Sequence, residues 1–428
     1  MIKLYEIKIT NPNSEDIKDF QVKVSISDKD LFSVFNDISK FCVIDRLKNY
    51  LDFYIQELNT ETGDMLLWIK APYIPSGWSY VCYLCYDETQ QNTLSNPYNT
   101  FDFYDGFEVW EGWIKHGYGI VEQSSEEVYK GKYSLKKTGY NDPNGGYKYI
   151  GFTLDYPFIL ECYIYRANFN GGGADRIGII DSNGNGYGIC LGHKTSTTPT
   201  ELGYDERDNY AGNFTKLNTL SEDPYHVWYH VKFVWDNGQI ICEVDWDKYR
   251  YSSQANNSKY NKFEYVYVFG GHDYFVDEMF IRKYAQEDPI VSINRIAKKV
   301  AIDVYDIQGI PIDEFYYSIN GNNWIKASTP LVIYLDGKAE FTIGKPLFDK
   351  VVLSIDPNIR TEYNVVLTPY LHQPITMMRK INTNNWELKN GELIIYDDDS
   401  ITPLLVFRLL DKEGNPTDYN VYKRIRTK

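Results

Sequence analysis

The chain is 428 residues long, with 44 Lys+Arg against 59 Asp+Glu and a formal net charge of -15. That acidity gives no electrostatic footprint for nucleic acid or an anionic lipid surface. No apolar run reaches the roughly 18 residues of a membrane-spanning helix, so neither nucleic-acid partners nor membrane insertion is expected. The 43% hydrophobic and 24% charged balance is that of a folded chain, and the length suits several domains. The unusual feature is an aromatic content of 16%, including 39 Tyr, 21 Phe and 9 Trp.

The first residues, Met1 to Thr10, alternate apolar and polar and read as a strand. They lack the uninterrupted apolar core of a signal peptide, so the chain is expected to start folded or to have been processed earlier. Helical spacing is clearest at Leu31, Phe32, Phe35 and Ile38, which predicts one or two turns within Asp28–Ile38. Elsewhere, short runs rich in Tyr, Val, Ile, Phe and Trp alternate with Asn, Asp, Gly and Pro. Phe20–Ile26, Met65–Lys70, Val227–Trp235 and Leu331–Leu335 are examples. This pattern predicts an all-β protein of tandem, jelly-roll-like β-sandwiches. Hairpin turns are expected at Asp236-Asn-Gly238, Asn320-Gly321 and Asp336-Gly337.

The six cysteines, at 42, 82, 85, 162, 190 and 242, have no dense framework spacing and read as reduced sheet or core residues. Cys82 and Cys85 have a metal-like spacing. They fall in a strand, however, where residues three apart point to opposite faces. Breaks at Ser95–Asn99, Gln286–Pro289 and Thr368–Pro374 divide the chain into 1–100, 101–284, 285–367 and 368–428. The last piece is too short to bury a core alone and is expected to be a small β-hairpin docking segment.

Residues 1–100 resemble a domain of unknown function found in archaeal and bacterial surface proteins. The likeness rests on Tyr5–Thr10, Asp19–Val24, Leu67–Pro72, Ile74-Pro-Ser-Gly77 and Cys82–Tyr86. Residues 101–284 are similar to the concanavalin A-like or laminin-G-like module that often follows it. Here the matching segments are Phe101–Trp110, Trp228–Asp236 and the closing strand Phe275–Tyr284. Asn385–Asp399, Thr402–Phe407, Leu410–Thr417 and Val421–Arg424 resemble the end of tail, baseplate and fibre-type proteins of tailed viruses. Relatives of the first block usually carry a secretion signal. A virion protein folded in the host cytoplasm would not need one.

Ile241–Asp247 carries Glu243, Asp245 and Asp247 at alternate positions, on one face of a strand. Glycoside hydrolases of the concanavalin-like fold set nucleophile, helper and acid/base at E-x-D-x-E, and retaining chemistry needs two carboxyls about 5–5.5 Å apart. Asp247 is one methylene short of that pattern, and ordinary turn chemistry accounts for the same residues. His226 and His230 could share a face, but a metal site needs a third ligand and none is near. Asp397-Asp-Asp399 suits a hairpin turn as well as calcium. The family resemblance allows a calcium ion in the second block without assigning its ligands.

Trp110, Trp113, Tyr187, Trp246, Tyr249 and Tyr251 lie near predicted loops or strand ends of the second block and are candidates for stacking on sugar rings. The competing role for each is sandwich packing. The expected function is a non-enzymatic adhesin on a virion surface, of tail, fibre or capsid type. It would bind a host-surface glycan or protein and contact other virion proteins as a homo-oligomer. A cellular surface adhesin or carbohydrate-binding module is the alternative, and a glycoside hydrolase the third.

Overall fold

The computed structural model describes residues 1–139, 143–167, 174–192, 200–222, 226–271, 273–346 and 348–367 in full. Beyond these it describes the backbone of four strands between 386 and 426. The chain separates into two compact units, Lys3–Arg295 and Ile296–Lys428.

The first unit holds two sandwiches. In the N-terminal one, Ile290–Arg295, Ile2–Thr10, Ser79–Tyr86 and Phe41–Asp45 form one antiparallel sheet in that order. Ile17–Ser27, Asp64–Ile74 and Phe53–Asn59 form the other. Strand periodicity is direct: Phe20, Val22, Val24 and Ile26 are buried while Lys23 and Ser25 are exposed. Ile290–Arg295 pairs with the opening strand, Ile9 against Val291 and Tyr5 against Arg295. The boundary expected at 285 is therefore displaced. The chain crosses the second sandwich and returns to complete the first, and the third block starts after Arg295. The helical stretch resolves into one α-turn, Lys29–Phe32, capped by the Asp28 carboxylate, and a 3-10 turn at Ile38–Lys40.

The second sandwich is built of two large sheets. Its front sheet runs Tyr249–Asn256, Gln239–Trp246, Trp228–Asp236, Phe158–Arg166, Tyr274–Lys283, Ser134–Thr138, Ile120–Ser124, and Phe103–Asp105 also pairs with Tyr274–Lys283. Its back sheet runs Ala211–Thr219, Glu201–Asp208, Gly186–Gly192, Ala174–Ile180, Phe263–Gly270, Gly145–Leu154, Trp113–His116. One core cluster lies between them, with Leu160, Cys162, Val231 and Phe233 from the front and Ile177, Ile189, Val266 and Val268 from the back. The Asp236–Gln239 hairpin forms as expected, with Asn237 at φ 49° and Gly238 at φ 98°, the left-handed pair a primed turn requires.

The two sandwiches stack through their outer faces. Phe101, in the link between them, stacks on Phe280 at 4.2 Å and meets the edge of Trp68 at 5.4 Å. Trp68, Tyr54, Phe101 and Phe280 are all buried, a seam in which each side chain contributes roughly 2 kcal/mol of apolar burial.

In the second unit, Leu331–Leu335, Lys298–Tyr305 and Glu362–Val366 form one sheet, and Ile325–Ala327, Phe315–Ile319, Ala339–Gly344 and Val351–Ile355 another. A shared core includes Val300, Ile302, Phe315, Phe341 and Val365. Asp336-Gly337 does not close a hairpin, because the strands on either side belong to different sheets. The C-terminal segment is larger than a hairpin: Trp386–Lys389, Glu392–Tyr396, Pro403–Leu410 and Lys423–Arg426 form an antiparallel sheet. Asp397–Asp399 lie outside the described residues.

Candidate functional site

The carboxylates at 243, 245 and 247 do not assemble into a catalytic row. The Asp236–Gln239 turn fixes the register, placing Lys232 opposite Glu243 and His230 opposite Asp245. Glu243 meets the Lys232 ammonium at 3.2 Å and accepts from Ser252 at 3.3 Å. Asp245 lies 3.2 Å from His230 Nδ1. Asp247 leaves the strand at φ 50° and sits exposed in the next turn.

His230 also reaches buried Glu161 through Nε2 at 2.9 Å, and Arg282 Nε donates to Glu161 at 2.6 Å. Burial opposes charge on both groups. The cations Arg282 and His230 nonetheless hold Glu161 well below the usual carboxylate range. Against the same burial, hydrogen bonds to Asp245 and Glu161 raise His230 to about 9. This network lies at the seam, where Arg282 sits 5.2 Å over the Trp68 ring. His226 is placed apart, with Tyr165, and shares no metal site with His230. Among the described residues no cluster of three or more His, Cys, Asp or Glu is arranged to hold a metal ion.

The six candidate aromatics are scattered. Tyr187 is fully buried, donates to Asn257 at 2.8 Å and accepts from the Tyr260 backbone, so it fills the sandwich and cannot meet a ligand. Trp246 is also buried, with Tyr249 and Tyr251 packed against its ring at 5.3 and 5.6 Å. Trp110 stacks on Trp113 at 6.3 Å, and Trp113 donates to Asp105 at 2.9 Å. Of the six, Trp110 keeps the most open face, at 37% exposure.

A cleft of about 770 Å³ lies between the two sandwiches of the first unit. One wall comes from the turn after Phe41–Asp45. Asp45 accepts from the backbone and side-chain nitrogens of Asn49 at 2.8 and 2.9 Å, and the chain then presents Tyr50, Leu51 and Asp52. Asn96 caps the Pro97–Thr100 turn by accepting from the Tyr98 N–H, which sets Tyr98 on the rim with its ring edge-on to Tyr104 at 5.1 Å. Phe101 forms part of the lining, and Phe152 and Tyr156 of the second sandwich also line the cavity.

Polar groups converge on the same space. Asp102 is tied down by Tyr156 at 2.9 Å and Gln21 at 3.1 Å. Burial and this carboxylate push the Tyr156 hydroxyl above its ordinary range, so it stays a donor. Lys70 donates to the Asn99 carbonyl at 3.0 Å and Lys283 to the Lys18 carbonyl at 2.7 Å. The carboxylates of Asp19 and Asp52 have no hydrogen-bonding or ionic partner among the described residues. Tyr50 and Tyr98 are 59% and 61% exposed, so their faces are open. Rings for C–H faces, carboxylates for paired hydroxyls and ammonium donors together suit a hydroxyl-rich ring.

A second aromatic surface lies on the outer face of the back sheet. Cross-strand pairing places Tyr147 opposite Tyr267 and Tyr149 opposite Tyr265. His116 stacks on Tyr210 at 4.4 Å. Tyr267 lies over Gly188, where an added Cβ would meet its hydroxyl at 2.3 Å, and it donates to buried Asp205 at 3.0 Å. Arg207 bridges beneath, bonding Asp205 at 2.5 Å and covering Tyr267 at 5.0 Å. Sequence patterning did not single out this surface or the cleft. The available signals were tyrosines in turns, at 50 and 98, and glycines alternating with the Tyr187–Leu191 core residues.

Residues 34–114 match the model of a domain of unknown function, DUF2341. Eight of the twelve residues lining the cleft fall in that span. The chain is 39% identical over 181 residues to an uncharacterized protein of Methanocaldococcus jannaschii, a match covering 41% of this chain and 18% of the relative. The chain thus spans about a fifth of that relative's length.

Solved structures resemble part of the chain at low identity. A carbohydrate binding module, CBM66, from Bacillus subtilis is 15% identical with a TM-score of 0.31, covering 40% of this chain and 96% of that one. The VIP36 exoplasmic/lumenal domain in its Ca2+/Man3GlcNAc-bound form is 9% identical at 0.32, covering 43% and 89%. An endo-beta-1,4-glucuronan lyase from the fungus Trichoderma reesei is 14% identical at 0.30, covering 44% and 98%.

Proposed function

We propose that residues 1–295 form a saccharide-binding unit of an exterior adhesin, holding a pyranose in the cleft between the two sandwiches. The observation that carries this reading is the convergence of the open Tyr50 and Tyr98 faces with the unpartnered Asp19 and Asp52 carboxylates on one cavity. Tyr50 and Tyr98 stack on the sugar's C–H faces, Asp19 and Asp52 accept hydroxyl pairs, and Lys70 and Lys283 donate. The walls belong to both sandwiches, so binding requires their fixed stacking.

The test is affinity electrophoresis of the full chain through gels carrying soluble glucan, mannan, xylan or polygalacturonate. Retardation by one polymer is expected, weakened about tenfold or more by Tyr98→Ala and by Asp52→Asn. Tyr149→Ala, on the outer face of the back sheet, leaves it unchanged. A wild-type chain that no polymer retards sinks the saccharide reading.

The exterior we favour is that of a virion, on the resemblance of the C-terminal segment. Antibody to residues 1–295 is then expected to label purified particles. Label confined to the envelope of uninfected cells assigns the adhesin to the cell.

A further inference from the structure

We infer that Cys42 and Cys85 are a latent cross-strand disulfide, a covalent modification site that pins the edge strand of the first sandwich. All six cysteines are buried free thiols, and these two are the one pair placed directly opposite each other in a sheet. Cys82 faces Asp45, Cys162 faces Val231, Cys190 lies between Arg176 and Gly203, and Cys242 between Phe233 and Ser253. Directly opposed residues in an antiparallel pair share a face with Cα atoms about 4.5 or 5.5 Å apart, and a disulfide accepts about 4.4–6.8 Å. The ladder therefore holds both backbones where the bond needs them. Cys82 and Cys85, despite the C-x-x-C spacing, point to opposite sides of their strand.

The surroundings suit exchange. Phe41–Asp45 is the last strand of its sheet, and its outer side is covered only by the turn that follows, through Asp45 N–H to the Asn49 carbonyl and Leu51 N–H to the Val43 carbonyl at 2.9 Å each, so Cys42 is reached by opening that turn and not the core. The Cys42 thiol donates to the Met1 sulfur at 3.6 Å, and the Cys85 thiol beside it holds the Cys42 thiol below its ordinary range. Cys42 is thus the attacking group. Its thiolate displaces one thiolate from a low-molecular-weight disulfide, forming a mixed disulfide. Cys85, losing its proton, then attacks the Cys42 sulfur and expels the second thiolate. Two protein thiols become one disulfide, and the small disulfide is reduced to two thiols. The strand so pinned runs into the Asp45–Asn49 turn, which presents Tyr50 and Asp52. The bond itself does not depend on what the cleft binds.

The test treats the full chain with oxidised glutathione or with dithiothreitol, then counts thiols after denaturation and maps peptides by mass. Oxidation is expected to remove two of the six thiols and to yield a Cys42–Cys85 linked peptide about 2 Da lighter than its parts. The bond closes a loop of about 40 residues, so the unfolding midpoint should rise on the order of 10 °C. That rise should be absent in Cys42→Ser and Cys85→Ser. Six thiols surviving oxidation, glutathione adducts alone, or a different linked pair would each overturn the inference. The peptide map on the unaltered chain decides this even if a serine variant folds poorly.

Discussion

The Glu278 carboxylate accepts a hydrogen bond from Tyr54 across the seam between the two sandwiches, at 2.7 Å. Its other oxygen accepts from Tyr104. Glu278 is 2% exposed and sits at φ 49°, where the front sheet's register slips between Glu161 and Tyr163. A left-handed, buried glutamate in a bulge is costly, and its two tyrosines and nearby Lys130 offset that cost. Lys130 in turn donates to Tyr54 at 2.5 Å and to the Gln56 carbonyl at 2.6 Å.

Removing this carboxylate takes the acceptor from two buried hydroxyls and leaves the Lys130 ammonium with neutral oxygens only. Glu278→Ala is expected to destabilise the first unit by about 3 kcal/mol, and Tyr54→Phe by about 1 kcal/mol. Urea unfolding followed by tryptophan fluorescence measures both. Tyr104 supports Tyr98 edge-on, so Glu278→Ala should also weaken any cleft ligand, while Tyr54→Phe should weaken it less.

The seam network makes stability depend on pH. Glu161 is held below its unfolded value of 4.5, so its contribution is present above that pH and is lost as pH falls through the depressed value. His230 is raised from 6.5 to about 9, so its contribution is complete below 6.5 and is lost as pH rises through about 9. Stability from this pair is therefore greatest between pH 4.5 and 6.5, and on the order of 3 kcal/mol should fade by pH 9. Asp277, which burial pushes up to about 7, adds a loss in the same direction at lower pH, from its unfolded 3.8 upward. His230→Gln should flatten the decline between 6.5 and 9 and leave the Asp277 limb in place. A thermal-shift series across pH reads both limbs.

The return strand Ile290–Arg295 predicts which fragments fold. Cutting after 284 removes the partner of Ile2–Thr10 and bares an edge carrying Tyr5, Ile7 and Ile9. A fragment of residues 1–284 should aggregate or melt well below one of residues 1–295. Size-exclusion chromatography and calorimetry of the two fragments check this.

The strands were legible because one face of nearly every sheet is buried, which gives a period of two, and because Asn237-Gly238 can only make a primed turn. Ile290–Arg295 was not legible. It is largely exposed, carries Asn and Arg, and pairs with a strand some 280 residues earlier, so its pattern is that of a linker. The partners of the Glu243–Asp247 row were not legible because strand period gives a face and not a register. Once Asp236 pairs with Gln239, Lys232 must face Glu243 and His230 must face Asp245. The cleft was hidden for a related reason. Tyr50, Tyr98 and Tyr156 sit in turns of two sandwiches, and only the stacking of Phe101 on Phe280 brings those turns around one cavity.

Two aspartates of that cavity should respond differently to the same change. Asp102 is a bridge: Gln21 of the first sandwich and Tyr156 of the second both donate to it, so its charge is spent on geometry. The Asp52 carboxylate has no hydrogen-bonding or ionic partner among the described residues and is exposed beside Tyr50. Asp102→Asn swaps an acceptor for a donor against Gln21 and Tyr156. It is expected to cost about 1–2 kcal/mol of stability and to weaken saccharide binding only as the walls loosen. Asp52→Asn should leave the unfolding midpoint within about 0.5 kcal/mol of the parent while losing most of the binding. Titration calorimetry with the retarding polymer, run beside urea unfolding, separates the two. If Asp52→Asn binds like the parent while Asp102→Asn loses both properties together, the cleft is a structural joint and not a binding site.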